Sequence, residues 1–376
     1  MTKAVFVGGL RTPFGRSFKG AYKDTRADDL LVELLSAQAN KHPDLKERTC
    51  DLLVGCAYPE GEQGYNTARM CGLGAGFQVA GATVNRLCAS SLEVVAMAAS
   101  KIAAGWGDVY LTAGIESMSR ITRRGEGFSE SDRITQTVPQ AYVSMGQTAE
   151  NVAKRYPQIT REMQEDLAAI SHENAFKAYE RGDYTNQIHP YLIEKDEFIR
   201  YPVNREKIAS LKPAFADDGT VTAATSSPIT DGATSGWVVS EAVAREMGCA
   251  SWLEIVDVTV AHVAPELMGL GPVPAMQKLF ARNEIGPDDI TAYEINEAFA
   301  IQVLASASDL SLPAERINAW GGAMALGHPL GASGLRLVMT LHDRLAQLGT
   351  DGAMGVATLC VGGGQGMAIL FRYLAR

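Results

Sequence analysis

Short apolar runs alternate with segments of helical period from one end of this chain to the other, and that alternation leaves few folds open. Ala4–Val7, Leu52–Cys56, Asp108–Gly114, Trp252–Val260, Ile290–Ile295, Met354–Leu359 and Gln365–Tyr373 read as strands. Between them, Ala27–Ala39 carries Leu30, Leu31, Leu34 and Leu35 on one side of a helix, Leu92–Ile102 is a helix apolar on most sides, and Gly334–Leu348 is another. Strands alternating with helices make an α/β fold. With 376 residues the chain has room for two or three domains. Its 46% hydrophobic and 20% charged residues supply a large core and exclude a disordered chain. No internal repeat is visible by eye, although both ends of the chain place a cysteine beside an apolar strand.

Composition removes several function classes. Acidic residues outnumber basic ones, 43 to 34, a net charge of −9 that argues against a nucleic-acid or acidic-membrane surface and leaves room for a small anionic ligand in a local basic patch. The six cysteines form no CxxC pair, which points to a reducing compartment, and the six histidines form no HExxH or other short metal-ligand spacing, so no metal is expected. No apolar run reaches about 18 residues, so no membrane insertion is expected. The start of the chain reads as a first strand rather than a secretory leader, and a cytoplasmic location is expected. The 37 glycines cluster inside apolar stretches, where they suit close backbone approach.

From about Ser119 to Pro213 the texture changes. Apolar alternation weakens, and Glu162–Tyr179 stands out as one amphipathic helix. Between Ser119 and Phe215, 14 basic residues balance 14 acidic ones, so the acidic excess lies elsewhere. Two readings stand: a solvated excursion, or a cover for a phosphate-bearing ligand.

Four places carry residue types suited to chemistry. Cys88 lies at a strand-to-helix junction, where helix N–H groups favour a thiolate and can hold an oxyanion; the alternative is a small residue filling a helix start. His328 lies in a glycine-rich, proline-flanked turn before a helix, a rigid seat for a base that activates a thiol; the alternative is a plain loop histidine. Cys360 ends a strand before Gly362-Gly363-Gly364, whose free N–H groups form a second candidate oxyanion site. That run lacks the spacing of a nucleotide-binding glycine loop. Asn296 at a strand end reads first as a helix cap and second as a holder of a polarising water.

Taken together, Asn85-Arg86-Leu87-Cys88-Ala89-Ser90-Ser91, Asn296-Glu297-Ala298-Phe299, Gly327-His328-Pro329-Leu330-Gly331-Ala332-Ser333-Gly334 and Cys360-Val361-Gly362-Gly363-Gly364-Gln365-Gly366 resemble the thiolase family. Glu116-Ser117-Met118-Ser119 and Met268-Gly269-Leu270-Gly271-Pro272 fit the same pattern. The resemblance implies a thiolase-like fold, two similar α/β halves with mixed five-stranded sheets, stacked as α-β-α-β-α, with an inserted loop domain. The boundaries expected are 1–118 plus 230–252 for the first half, 119–229 for the loop domain and 253–376 for the second half.

The resemblance also implies roles. Cys88 carries the acyl group, His328 activates it, and Cys360 is the acid/base at the carbon that leaves or attacks. Asn296 holds a water that pairs with His328 in one oxyanion hole, and the N–H groups of Cys88 and Gly362 form the other. Coenzyme A is implied as a substrate rather than a tightly bound cofactor, with Arg200 near its nucleotide end and Ser227 on its pantetheine arm. For Arg200 the alternative is a surface ion pair, and for Ser227 a turn residue. A homodimer or homotetramer is implied, with a β-oxidation multifunctional subunit as a further possible partner. Ser91, Thr222–Ser227, Ser144 and His262 depart from the usual pattern, and His262 reads as a packed or surface residue. The function implied is a 3-ketoacyl-CoA thiolase. The rivals are an acetoacetyl-CoA thiolase working in the condensing direction and a silent acyl-CoA-binding or scaffold member, against which the intact set Cys88, His328, Cys360 and Asn296 argues.

Overall fold

The computed structural model describes residues 2–376. Ten strands are formed: β1 (Ala4–Arg11), β2 (Gly15–Arg16), β3 (Asp51–Cys56), β4 (Gly81–Val84), β5 (Val109–Ser117), β6 (Thr230–Ser240), β7 (Ser251–His262), β8 (Ile290–Ile295), β9 (Met354–Val361) and β10 (Gln365–Ala375). They run in the order β4-β3-β5-β6-β1-β7-β10-β9-β8, with β2 on β6. The link between the halves is thin: β1 meets β7 only at Val5↔Glu254 and Phe6↔Leu253.

On either side of that link the same pattern appears twice. In the first half β3 pairs parallel with β4 and β5, and β6 runs antiparallel to both β5 and β1. In the second half β8 pairs parallel with β9, and β10 runs antiparallel to both β9 and β7. The counterpart of β4 is a single parallel bridge, Tyr293↔Ile317, so the expected fifth strand of this half is reduced to one residue pair.

The five layers follow from which helix faces are apolar. The helices Ser90–Ala103 and Ser333–Leu348 share one core, where Leu92, Val95 and Ile102 meet Leu335, Val338 and Leu341. That core also contains Leu53 and Val238 from one sheet and Leu359 and Ile369 from the other, so both helices are covered on two sides. A helix sandwiched in this way has no need of a polar face. The two central helices approach closely: a Cβ on Gly334 would lie 2.4 Å from the amide nitrogen of Leu92. Outside, Leu30, Leu31, Leu34 and Leu35 of the helix Ala27–Lys41 cover the first sheet. Ala275, Met276 and Leu279 of the helix Pro272–Asn283 cover the second.

Between β5 and β6 the chain makes a long excursion, where the second half has only Gly362–Gly364 between β9 and β10. It carries the helices Met145–Arg155, capped by Ser144 Oγ, and Arg161–Arg181, capped by Thr160 Oγ1 and ended by Gly182 at φ +79°. Its anchor is a fully buried ion pair. Arg11 of β1 donates from both terminal nitrogens to the Asp196 carboxylate at 2.8 and 2.9 Å, and Tyr179 Oη and the Phe14 amide donate to the same carboxylate.

Candidate active site

The turn that carries Cys88 is held from several directions. One turn of 3-10 helix, Leu87–Ala89, follows β4 and leads directly into the helix Ser90–Ala103. Leu87 sits at φ +44°, a conformation that a branched side chain adopts only when its surroundings impose it. Here Asn85 Oδ1 accepts from the Leu87 amide at 2.8 Å, and Ser90 Oγ accepts from the Arg86 amide at 2.9 Å and donates to Leu87 O at 2.6 Å. Cys88 itself is half-buried. Burial pushes its thiol up to about 11, the charge of Glu116 adds to this, and the Gly362 N–H donated toward the sulfur pulls the other way. The expectation that a helix start favours the thiolate is therefore corrected: desolvation wins, and Cys88 rests as a thiol that needs a base.

That base comes from the other half. His328 follows the short helix Ala323–Leu326 and Gly327. Gly327 lies at φ +107°, and a Cβ there would meet Thr230 at 2.8 Å. The His328 amide donates to Thr230 Oγ1 at 2.9 Å, which fixes the turn against the start of β6. Nδ1 lies 2.6 Å from Ser333 Oγ, and Ser333 Oγ donates its only proton to Pro329 O at 2.8 Å. Nδ1 is then the protonated nitrogen, and Nε2 keeps its lone pair facing the site. Burial, with the nearby Arg336 charge, pushes the imidazole down to about 3, so it stays neutral and able to accept a proton.

Asn296 follows β8, is fully buried, and places Nδ2 3.3 Å from His328 Nε2. It does not cap a helix; the next helix begins at Ala300, with Phe299 before it. Asn296 Oδ1 is buried and has no hydrogen-bond partner among the described residues. Cys360, near the end of β9, is buried beside Met268, Leu270 and Phe299. Burial and the neighbouring Cys88 push its thiol well above the usual range. The end of β9 packs against the Cys88 turn, and that turn packs against Leu330–Ala332 just after His328. Cys88, His328, Asn296, Cys360 and Gly362 thus come from four separate segments of the chain to one place between the halves.

The two remaining candidates lie in and beside the excursion. Arg200 is exposed and forms no ion pair among the described residues, so the surface-pair alternative is not met. Its amide donates to the buried His172 Nδ1 at 3.3 Å. Ser227 is half-buried, and its amide donates to Ala298 O at 2.9 Å, beside the Asn296 loop. Among the departures, Ser91 Oγ accepts from the Leu335 amide at 3.0 Å and ties the central helices together, while His262 is exposed. Ser333 and Thr230, which orient His328, were missed in the sequence. Ser333 lies in the Gly327–Gly334 segment, five residues after the histidine, at a spacing that places a hydroxyl beside Nδ1 only once the turn is known. No group of metal-ligating side chains that could hold an ion occurs among the described residues, and none of their helices is long and apolar enough to cross a membrane.

A half-buried thiol, a neutral imidazole whose unprotonated Nε2 meets an amide side chain, and a second thiol, set between duplicated α/β halves, make a site suited to cysteine-dependent acyl transfer. Residues 4–242 match the family description "Thiolase, N-terminal domain" and residues 250–373 match "Thiolase, C-terminal domain". A 3-ketoacyl-CoA thiolase of Saccharophagus degradans is 41% identical over 97% of both chains, and one of Bacillus subtilis is 37% identical over 99% of both. The crystal structure of the Bacillus anthracis acetyl-CoA acetyltransferase superposes with a TM-score of 0.90 at 34% identity, covering 100% of this chain and 99% of that one. The chain belongs to the thiolase family, and its chemistry is the thiolase type.

Proposed function

We propose that the protein is a 3-ketoacyl-CoA thiolase, cleaving 3-oxoacyl-CoA with coenzyme A to acetyl-CoA and a shortened acyl-CoA. The observation that carries this reading is a neutral His328, its unprotonated Nε2 turned toward Asn296, on a turn packed against that of Cys88, which lies under the Gly362 amide. His328 Nε2 takes the Cys88 proton, and the sulfur adds to the 3-oxo carbon. The N–H groups of Cys88 and Gly362 stabilise the resulting alkoxide. The C–C bond breaks, and Cys360 protonates the departing enolate carbon while His328 and a water on Asn296 hold its oxygen. The thiol of coenzyme A then loses its proton to Cys360 and takes the acyl group from Cys88, whose departing thiolate recovers its proton from His328. Condensation is the same path reversed.

The excursion, 119–229, is assigned the role of a cover over coenzyme A between a first half (1–118 plus 230–252) and a second half (253–376). The unpaired Arg200 suits a phosphate and Ser227 the pantetheine arm. The half-exposed edge strand β4 suits pairing with a second copy, in a homodimer or homotetramer. Cytoplasmic β-oxidation fits this reading. The similarity to the acetyl-CoA acetyltransferase supports a second reading, an enzyme confined to the shortest ester and working in condensation.

Thiolysis across 3-oxoacyl-CoA esters of increasing length separates the two. Cleavage that peaks at medium or long chains is expected, and activity restricted to acetoacetyl-CoA selects the second reading. In intact-protein mass spectra, Cys88→Ala should show no acyl adduct. Cys360→Ala should still be acylated while losing roughly three orders of magnitude or more in C–C cleavage, a loss on the scale of removing a positioned acid/base. Full thiolysis by Cys88→Ala would rule the mechanism out.

A further inference from the structure

The carboxylate of Glu116, near the end of β5, is fully buried and meets no cation within ion-pair distance among the described residues. Its charge is met by four donors instead. Oε2 accepts from the Ala57 amide at 2.8 Å and the Gly331 amide at 2.9 Å. Oε1 accepts from Gln63 Nε2 at 2.8 Å and the Tyr58 amide at 3.3 Å. Ala57 and Tyr58 belong to the first half, whereas Gly331 lies three residues after His328 in the second.

The contacts continue on both sides. The Ala57–Tyr58 peptide, whose N–H donates to Glu116 Oε1, accepts from Asn85 Nδ2 at 3.0 Å through the Ala57 carbonyl, and Asn85 Oδ1 holds the Leu87 amide in the Cys88 turn. On the far side, a Cβ on Gly331 would lie 2.5 Å from Ile115 O and 2.8 Å from Cys56 Cα, so the His328 turn is pressed flat against the strands that flank Glu116. One unbroken chain of contacts therefore runs from the nucleophile turn through Asn85, Ala57, Glu116 and Gly331 to the base turn. A chain of this kind sets the distance between groups borne by two separate halves.

We propose that Glu116 is a positioning residue for the acyl-transfer reaction, tying the Cys88 turn of one half to the His328 turn of the other so that thiol and imidazole stay in register. This rests on the thiolase reading of the site, and it adds a residue outside the catalytic set. Glu116→Gln keeps the volume but turns one oxygen into a donor facing donors. Gln63 cannot flip to compensate, because its Oε1 already accepts from the Ser117 amide at 2.6 Å.

The test compares wild type, Glu116→Gln and Asn85→Ala. Asn85 is exposed, so its variant tests the other end of the chain of contacts even if Glu116→Gln misfolds. The readouts are thiolysis kinetics and the pH profile of Cys88 alkylation by iodoacetamide. Each variant should lose roughly 10- to 100-fold in kcat with little change in KM for coenzyme A, the scale of a small misplacement of reacting groups. The titratable groups that feel the Glu116 charge are Cys56, Tyr58 and Cys88. Alkylation of Cys88 in folded Glu116→Gln should therefore move to lower pH even as turnover slows, a pairing that general destabilisation does not produce. A folded Glu116→Gln with wild-type kcat and an unmoved alkylation profile overturns the proposal, as does wild-type turnover in Asn85→Ala should Glu116→Gln fail to fold. Were the wild type to cleave no ester, the function would fall, and the alkylation profiles would still decide whether Glu116 acts on Cys88.

Discussion

His328 has two partners that the sequence does not place beside it, and they decide its proton. Ser333 Oγ takes the Nδ1 hydrogen, and Thr230 Oγ1 holds the His328 amide, which leaves Nε2 facing Asn296. Burial then keeps the ring neutral, with a value near 3 against an ordinary 6.5. Between those values the unfolded chain binds a proton at this site that the native protein does not, so the native state gains stability as pH rises from 3 to 6.5 and loses it on acidification. Replacing the ring with an amide removes this dependence. In urea unfolding followed between pH 4 and 6.5, His328→Asn should therefore show a shallower fall in stability on acidification than the wild type. An equal slope in the two proteins would contradict the neutral assignment. The four residues named first from chemistry alone, Cys88, His328, Cys360 and Asn296, do come together. Residue type at the end of a strand marks Cys88 and Asn296, and flanking glycines mark His328 and Cys360. Ser333, Thr230 and Glu116 escape because each acts through a contact with another part of the chain.

At the scale of elements, strands with apolar character and helices with a clear stripe were legible, and elements made of small polar residues were not. The chain from Asp217 to Gly232 reads as a glycine- and threonine-rich connection, yet β6 begins at Thr230 and all eleven of its residues are buried. Its first seven residues, Thr230–Gly236, show neither alternation nor an apolar run, and only Trp237-Val238-Val239 is plainly apolar. The excursion was legible as a change of texture, but its docking was not. Arg11 and Asp196 are far apart in sequence and both fully buried. Removing one partner leaves an uncompensated buried charge, which costs about 3–5 kcal/mol. Asp196→Ala should accordingly lower the unfolding midpoint and expose the excursion to limited proteolysis before the sheets are cut. Unchanged protease resistance would show that the ion pair does not hold it down.

The whole molecule is a duplication that the sequence hides. The order β4-β3-β5-β6-β1 matches Ile317-β8-β9-β10-β7, but the loops differ so much in length that no period survives for the eye to find. The two halves nonetheless share one core through their central helices. Each half alone would leave one side of its central helix bare, so neither should fold independently, and calorimetry should show one transition. Leu337→Ala, in that core, should cost about 2–5 kcal/mol and weaken hydrogen-exchange protection in β3 and β8 alike. Loss of protection in only one sheet would count against a common core.

The hairpin joining β9 to β10 has a consequence for timing during synthesis. It supplies Cys360 and the Gly362 amide, and it lies after every other proposed site residue in the chain. Cys88, the excursion, Asn296 and His328 all leave the ribosome before it. On the proposed reading, a growing chain therefore carries Cys88 and His328 before the Gly362 amide and the second thiol have joined them. Under that reading acyl-CoA is not turned over until this hairpin has closed against the Cys88 turn, so chains released before it would be chemically silent in a pool of thioesters.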